Sequence, residues 1–179
     1  MHNKVVYNAM KALSAFRYPV LRFNFRGTGL SEGKHDRGRG EVDDVRAAIA
    51  WLRQEFHLPM IFVGFSFGAA TGMRAACREQ DIVAVVSLGM PVSAEDRHYQ
   101  YEFLHDCNKP KLFVSGGRDQ FAPAEELQKI VAQVPAPKKL VLIDGADHFF
   151  EGHLEEMRTA IEQWVRELPA GVTAEKPAP

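Results

Sequence analysis

Five short β-type runs, separated by helix-like segments, constrain the fold of this chain more than any other feature. They are VLRFNF (20–25), MIFVGF (60–65), IVAVVSLG (82–89), KLFVSG (111–116) and KLVLIDG (139–145). A strand with one wet face alternates apolar and polar residues, whereas the interior runs here are nearly continuous. Helices must then cover both faces of a mainly parallel sheet, giving a three-layer α/β fold. The intervening segments supply those layers. Asn3 is placed to cap a helix carrying Val6, Met10, Leu13 and Phe16, which Tyr18-Pro19 ends. From Glu41 onward Val42, Val45, Ile49, Leu52 and Phe56 recur at helical spacing, and 69–78 is an alanine-rich helix. Ser93 with Asp96 forms a capping box that predicts a further helix, carrying Tyr99, Tyr101, Phe103 and Leu104. Pro123 opens a helix over 124–131, and Leu154, Met157, Ile161 and Trp164 mark the last one. The 179 residues suffice for one core, so the reading is a single domain over 1–168 and a flexible tail over 169–179.

Composition excludes several classes of function. A net charge of −1 and a pI near 6.7 rule out a strongly basic nucleic-acid footprint. Cys77 and Cys107 lack CxxC spacing and read as reduced thiols. No run of 18 apolar residues and no signal-type start occur, so a soluble cytoplasmic protein without a membrane span is expected. His35 and Asp36 lack further convergent ligands, so no metal is expected. Gly27-Thr28-Gly29 does not complete a phosphate loop, and residue 32 is Glu where GxGxxG needs glycine, so no cofactor is expected either.

The sharpest motif is Gly64-Phe65-Ser66-Phe67-Gly68, set between a strand and a helix. A nucleophile at such a turn needs small neighbours because strand and helix approach closely. There the helix N-terminus can stabilise an oxyanion, and the Phe67 N–H is the expected donor. A serine needs a base, and the base an orienter. Asp119 follows the 111–116 strand and His148 follows the 139–145 strand, so all three lie beyond carboxyl ends of strands, where open parallel sheets carry their sites. Asp144 and Asp147 are rivals to Asp119, although both lie close to His148 in sequence. Phe65, Phe121 and Phe149 make an apolar surround, while Met90, Tyr99 and Phe103 either line the cleft or pack in the core.

The Ser–Asp–His order, with FRGTGLSEGKHDRGRGEVDDV, GFSFGAA, GGRD and GADHFFEG, resembles a small α/β-hydrolase of the group that includes serine-aminopeptidase-like and dienelactone-hydrolase-like proteins. The resemblance runs from about Asn3 to Trp164. It implies a serine hydrolase acting on a carboxylic ester or related small acyl substrate, with Ser66, His148 and Asp119 as its triad. It leaves substrate open, and it leaves a non-catalytic binding or interaction protein as the alternative.

The resemblance also implies what is missing. The five runs match the fourth to eighth strands of the family sheet, so the chain reads as N-terminally truncated, starting at an internal methionine of a longer protein. The missing third strand would leave a gap of roughly 10 Å between the first two runs. The loop after it usually donates the second oxyanion N–H, a loss that costs about 10²–10³ in rate. An incomplete sheet invites self-association. The 179-residue chain is therefore expected to unfold with low cooperativity in a calorimetric or circular-dichroism melt; a sharp, reversible transition of a monomer overturns that expectation.

Overall fold

Successive residues of the central strands enter opposite hydrophobic clusters, which is why their sequence runs are continuous. The computed structural model describes residues 3–94 and 97–169. Its elements are α1 (Lys4–Ser14), α2 (Gly40–Phe56), β1 (Met60–Phe65), α3 (Phe67–Ala76), β2 (Ile82–Leu88), β3 (Ser93–Ala94), β4 (Arg97–His98), a 3₁₀ turn (Glu102–Asp106), β5 (Lys111–Gly116), α4 (Ala124–Gln133), β6 (Lys138–Ile143) and α5 (Leu154–Glu167). Ala84, Val86, Leu88, Leu112 and Val114 point into a cluster with Val5, Leu13, Met157, Ile161 and Trp164 of α1 and α5. Val85 and Phe113 point the other way, onto Val45, Ile49, Met73, Leu127 and Val131 of α2, α3 and α4. The three-layer α/β-hydrolase-like arrangement follows directly.

The central sheet has four strands in the order β1-β2-β5-β6, all parallel. The fifth expected strand, 20–25, forms no ladder, and no amide from Val20 to Phe25 donates a hydrogen bond among the described residues. A strand exists through its partner. Here β1 pairs with β2 on one side, and its other edge borders a cleft of about 460 Å³ whose far wall is the 18–25 segment. Composition favoured a strand, but no neighbour closes the ladder.

Two further expectations are corrected. No helix starts at Ser93: Ser93–Ala94 pairs antiparallel with Arg97–His98, and Asp96 lies outside the described residues. Val92 N–H and Ser93 N–H both donate to the Phe121 carbonyl, and Tyr99 N–H donates to Val92, which holds this backbone extended. The helical stretch reduces to the 3₁₀ turn, with Leu104 its buried residue. The Asn3 cap is present, its side chain accepting from Val5 and Val6 N–H at 2.9 and 3.1 Å. The buried face of α1 is Val5, Ala9, Ala12 and Leu13, so the Val6 and Met10 of the expected stripe instead line the cleft. The expected tail beyond Pro169 lies outside the described residues, and no helix among those described is long and apolar enough to cross a membrane.

The 20–25 backbone is unladdered while β2 and β5 are paired on both edges, so the cleft wall should open more readily than the sheet centre. Hydrogen–deuterium exchange should place the amides of 20–25 in the fastest class and those of 85–88 and 112–115 in the slowest. Comparable protection of the two sets would contradict this description.

Candidate active site

At the end of β1 the chain turns into α3 with almost no room between them. A Cβ on Gly64 would lie 2.6 Å from Ala69 Cα and 2.7 Å from the Gly68 carbonyl oxygen. Gly68 is different: a Cβ there would meet only the Phe25 ring, at 3.7 Å. Of the two glycines in the motif, the first is required by close approach. Between them Ser66 takes φ 52°, ψ −124°, a conformation that L-residues avoid. Its backbone is held on both sides. Ser66 N–H donates to Leu88 at the end of β2 at 2.9 Å, and its carbonyl accepts from Ala69 and Ala70.

The loops after β5 and β6 are tied to each other. Gly117 N–H donates to Ile143 and Arg118 N–H to Ala146, at 2.8 and 2.9 Å. A Cβ on Gly116 would lie 2.3 Å from the Ala146 carbonyl oxygen, so bare backbone is what lets the loops meet. Asp147 accepts from Phe149 and Glu151 N–H at 3.0 and 2.9 Å, which uses the carboxylate within its own loop. The fully buried Phe150 anchors that loop in the core.

These constraints bring Ser66, His148 and Asp119 into one hydrogen-bonded line. His148 Nε2 lies 2.8 Å from Ser66 Oγ, and His148 Nδ1 lies 2.8 Å from Asp119 Oδ2. Asp119 and His148 are 3% and 4% exposed, so the carboxylate depends on protein donors. Phe121 and Ala122 N–H donate to its Oδ1, and Ser115 Oγ–H donates to its Oδ2. An ionised carboxylate only accepts, so Nδ1 carries the imidazole proton and Nε2 is left to accept from the Ser66 hydroxyl. The rival Asp147 is engaged elsewhere. His153 precedes α5 and bonds to Glu156 at 2.7 Å.

Three of the aromatic residues named from the sequence surround the imidazole. The Phe121, Phe65 and Phe149 rings lie 4.7, 5.0 and 5.2 Å from it, centre to centre. Met90 is buried in the cluster beneath α2–α4, and Tyr99 and Phe103 pack against that cluster. Two supports were not singled out from sequence. Ser115 was signalled only as a polar residue late in an apolar run. Gly89 has φ +51°, and a Cβ there would sit 3.3 Å from the His148 ring. Its signal was a glycine directly after a buried strand. Phe67 begins α3 beside Ser66, and its ring packs on Phe25 at 5.7 Å and His35 at 5.2 Å. His35 pairs with the buried Glu41 at 2.7 Å. Burial pushes the Glu41 carboxyl up, but N–H donors from Asp36 and Gly38 outweigh it and hold the group below its ordinary value.

Residues 1–172 match the family described as the alpha/beta hydrolase domain. The chain belongs to that family. An uncharacterized protein of Rickettsia prowazekii is 38% identical over 172 residues, covering 92% of this chain and 72% of that protein. An alpha-beta serine hydrolase homologue from Coxiella burnetii superposes with a TM-score of 0.84 at 34% identity, covering 92% of this chain and 77% of its own. A Xanthomonas campestris structure, described as an α/β serine hydrolase without lid, gives 0.83 at 33% identity, with 95% and 76% covered. The fold of this alpha/beta hydrolase is thus shared with longer relatives.

The contrast at the turn is testable. Gly64→Ala should lower stability by about 2–3 kcal/mol, since backbone must move to admit the methyl. Gly68→Ala should be neutral or stabilising by up to about 1 kcal/mol, as expected for glycine replaced in a helix. Urea titrations of both variants check this, and equal effects would refute the steric assignment.

Proposed function

We propose that this alpha/beta hydrolase cleaves a carboxylic ester or related acyl bond of a small-molecule substrate through an acyl-serine intermediate. The observation that carries the reading is the continuous Ser66–His148–Asp119 hydrogen-bond line, 2.8 Å at each step. His148 takes the Ser66 proton as Oγ attacks the carbonyl carbon, and Asp119 holds the imidazole and stabilises its charged form. The tetrahedral oxyanion is received by the Phe67 N–H at the start of α3, where the helix dipole adds positive potential. His148 returns the proton to the leaving group, then activates water to release the acyl group.

Phe65, Phe121 and Phe149 offer the acyl or aromatic part of the substrate an apolar surface, and Phe149 is 55% exposed. Met90, Tyr99 and Phe103 pack in the cluster beneath α2–α4. The Xanthomonas relative is described as lacking a lid, which supports an open entrance here too. The cytoplasmic setting expected from two free thiols and self-association through the unpaired β1 edge belong to the same reading.

The cleft of about 460 Å³ beside Phe67 favours a second reading, a binding protein with weak or no turnover. A fluorophosphonate probe separates the two. Wild-type protein should be labelled and Ser66→Ala should not; Asp119→Asn should reduce ester turnover by about 10⁴-fold. Absence of labelling in folded wild-type protein would sink the enzyme reading and leave the binding one.

A further inference from the structure

The stretch FRGTGLSEGKHDRGRGEVDDV carries a buried charge that the triad does not use. Glu41, in the first turn of α2, is 0% exposed. Three donors converge on its carboxylate. Asp36 N–H and His35 Nδ1 reach Oε1 at 2.8 and 2.7 Å, and Gly38 N–H reaches Oε2 at 2.8 Å. Asp36 returns the bond, its Oδ2 accepting from Gly40 N–H at 3.1 Å. Loop and helix start thus clasp each other, each supplying acceptors for the other's amides.

What the clasp holds is the surround of Phe67. The His35 ring lies 5.2 Å from the Phe67 ring, centre to centre. Gly38 has φ +91°, and a Cβ on it would stand 3.2 Å from Thr71 Oγ1 and 3.7 Å from the Phe67 ring. Phe67 and Thr71 are four residues apart, hence neighbours on one face of α3, and the loop backbone lies directly on that face. The turn's own bonds hold Ser66 through its N–H and its carbonyl. The next residue is braced through its ring.

We propose that Glu41 is a positioning residue for acyl transfer: by holding His35 and Gly38 against the Phe67 ring, it sets the Phe67 N–H where the oxyanion forms. This role rests on the acyl-transfer reading of Ser66. Glu41 acts only through its two neighbours. An oxyanion donor works by geometry, and its bond strengthens as charge develops in the transition state. Loss of the brace should therefore appear in kcat rather than in KM. Gln is the informative replacement, because it keeps the shape of the side chain but not its acceptors. A carboxamide has one oxygen, so its NH₂ must face either Gly38 N–H or the Asp36 and His35 donors. Donor then meets donor in a buried place, and the loop moves off the Phe67–Thr71 face.

The test compares wild-type protein with Glu41→Gln after circular dichroism has shown both folded. With p-nitrophenyl acetate, kcat should fall about tenfold and KM stay within about twofold, since a displaced donor loses part of what a deleted one does. The inhibition constant of trifluoroacetophenone should rise by the same factor, because Ser66 Oγ adds to its carbonyl carbon and its oxygen becomes the oxyanion. In amide NMR spectra the Phe67 resonance should move while those of β5 stay in place. His35→Ala leaves both amide bonds to Glu41 and carries the test should Glu41→Gln not fold. It should lower kcat about threefold, and His35→Phe, which returns a ring to Phe67, should recover most of that loss. The two kinds of failure read differently. A wild-type protein that a fluorophosphonate does not label sinks the hydrolase reading and this role with it. A labelled wild type sinks the role of Glu41 alone if the variants leave kcat, inhibitor affinity and the Phe67 resonance unchanged. So does a loss carried by KM with kcat retained.

Discussion

The contact of Gly64 with the Ala69 backbone is the constraint on which the site depends. It brings β1 and α3 so close that the residue between them must take a backbone conformation L-amino acids avoid. That strain needs a counterweight, and the hydrogen bonds of Ser66 to Leu88, Ala69 and Ala70 supply it. Each joins the turn to an element already fixed by the core: β2 lies between β1 and β5, and α3 is buried against β1. The position of Ser66 Oγ is thus a property of the sheet rather than of a loop.

The strand order then sets a problem of reach. Ser66 follows β1, while His148 follows β6, three positions away in the sheet, roughly 15 Å at the usual strand spacing. The loop after β6 must lean back across β5 and β2. Its bonds to the Gly117–Arg118 segment and the buried Phe150 hold it in that posture. Over the end of β2 the imidazole passes Gly89, where a side chain would begin 3.3 Å from the ring. Asp119, in the loop after the intermediate strand β5, meets the imidazole on its way. In chain order and in sheet order Asp119 falls between Ser66 and His148, while in the hydrogen-bonded line His148 falls between the other two.

The same logic explains what was legible in the sequence. MIFVGF, IVAVVSLG, KLFVSG and KLVLIDG were readable because two-sided burial leaves a continuous apolar run, and the turn residues Ser66, Asp119 and His148 sit at the ends of such runs. VLRFNF was misread as a strand because composition speaks to fitness for a ladder, while the ladder itself requires a neighbour. The Ser93 helix failed for a related reason: its capping pattern is local, but the Phe121 carbonyl that holds Val92 and Ser93 extended is distant in sequence. Gly89 and Ser115 escaped notice because their importance lies in what another strand's loop places against them.

One further connection runs from α2 to the serine. Glu41 and Asp44 are three residues apart, hence on one face of the helix, and each holds a different part of the 25–40 segment. Asp44 receives Arg26 N–H and both the Nε and Nη2 of its guanidinium, which keeps the carboxyl below its ordinary value. Glu41 receives the Asp36 and Gly38 amides and pairs with His35. Phe25, beside Arg26, and His35 pack on the Phe67 ring. A carboxylate on α2 therefore stands behind each of these two neighbours of Phe67. The backbone from Val20 to Phe25 lacks a ladder, yet its end is fixed where Phe25 touches Phe67, next to Ser66. Side-chain charge does at that point what sheet hydrogen bonds do for the other walls of the site.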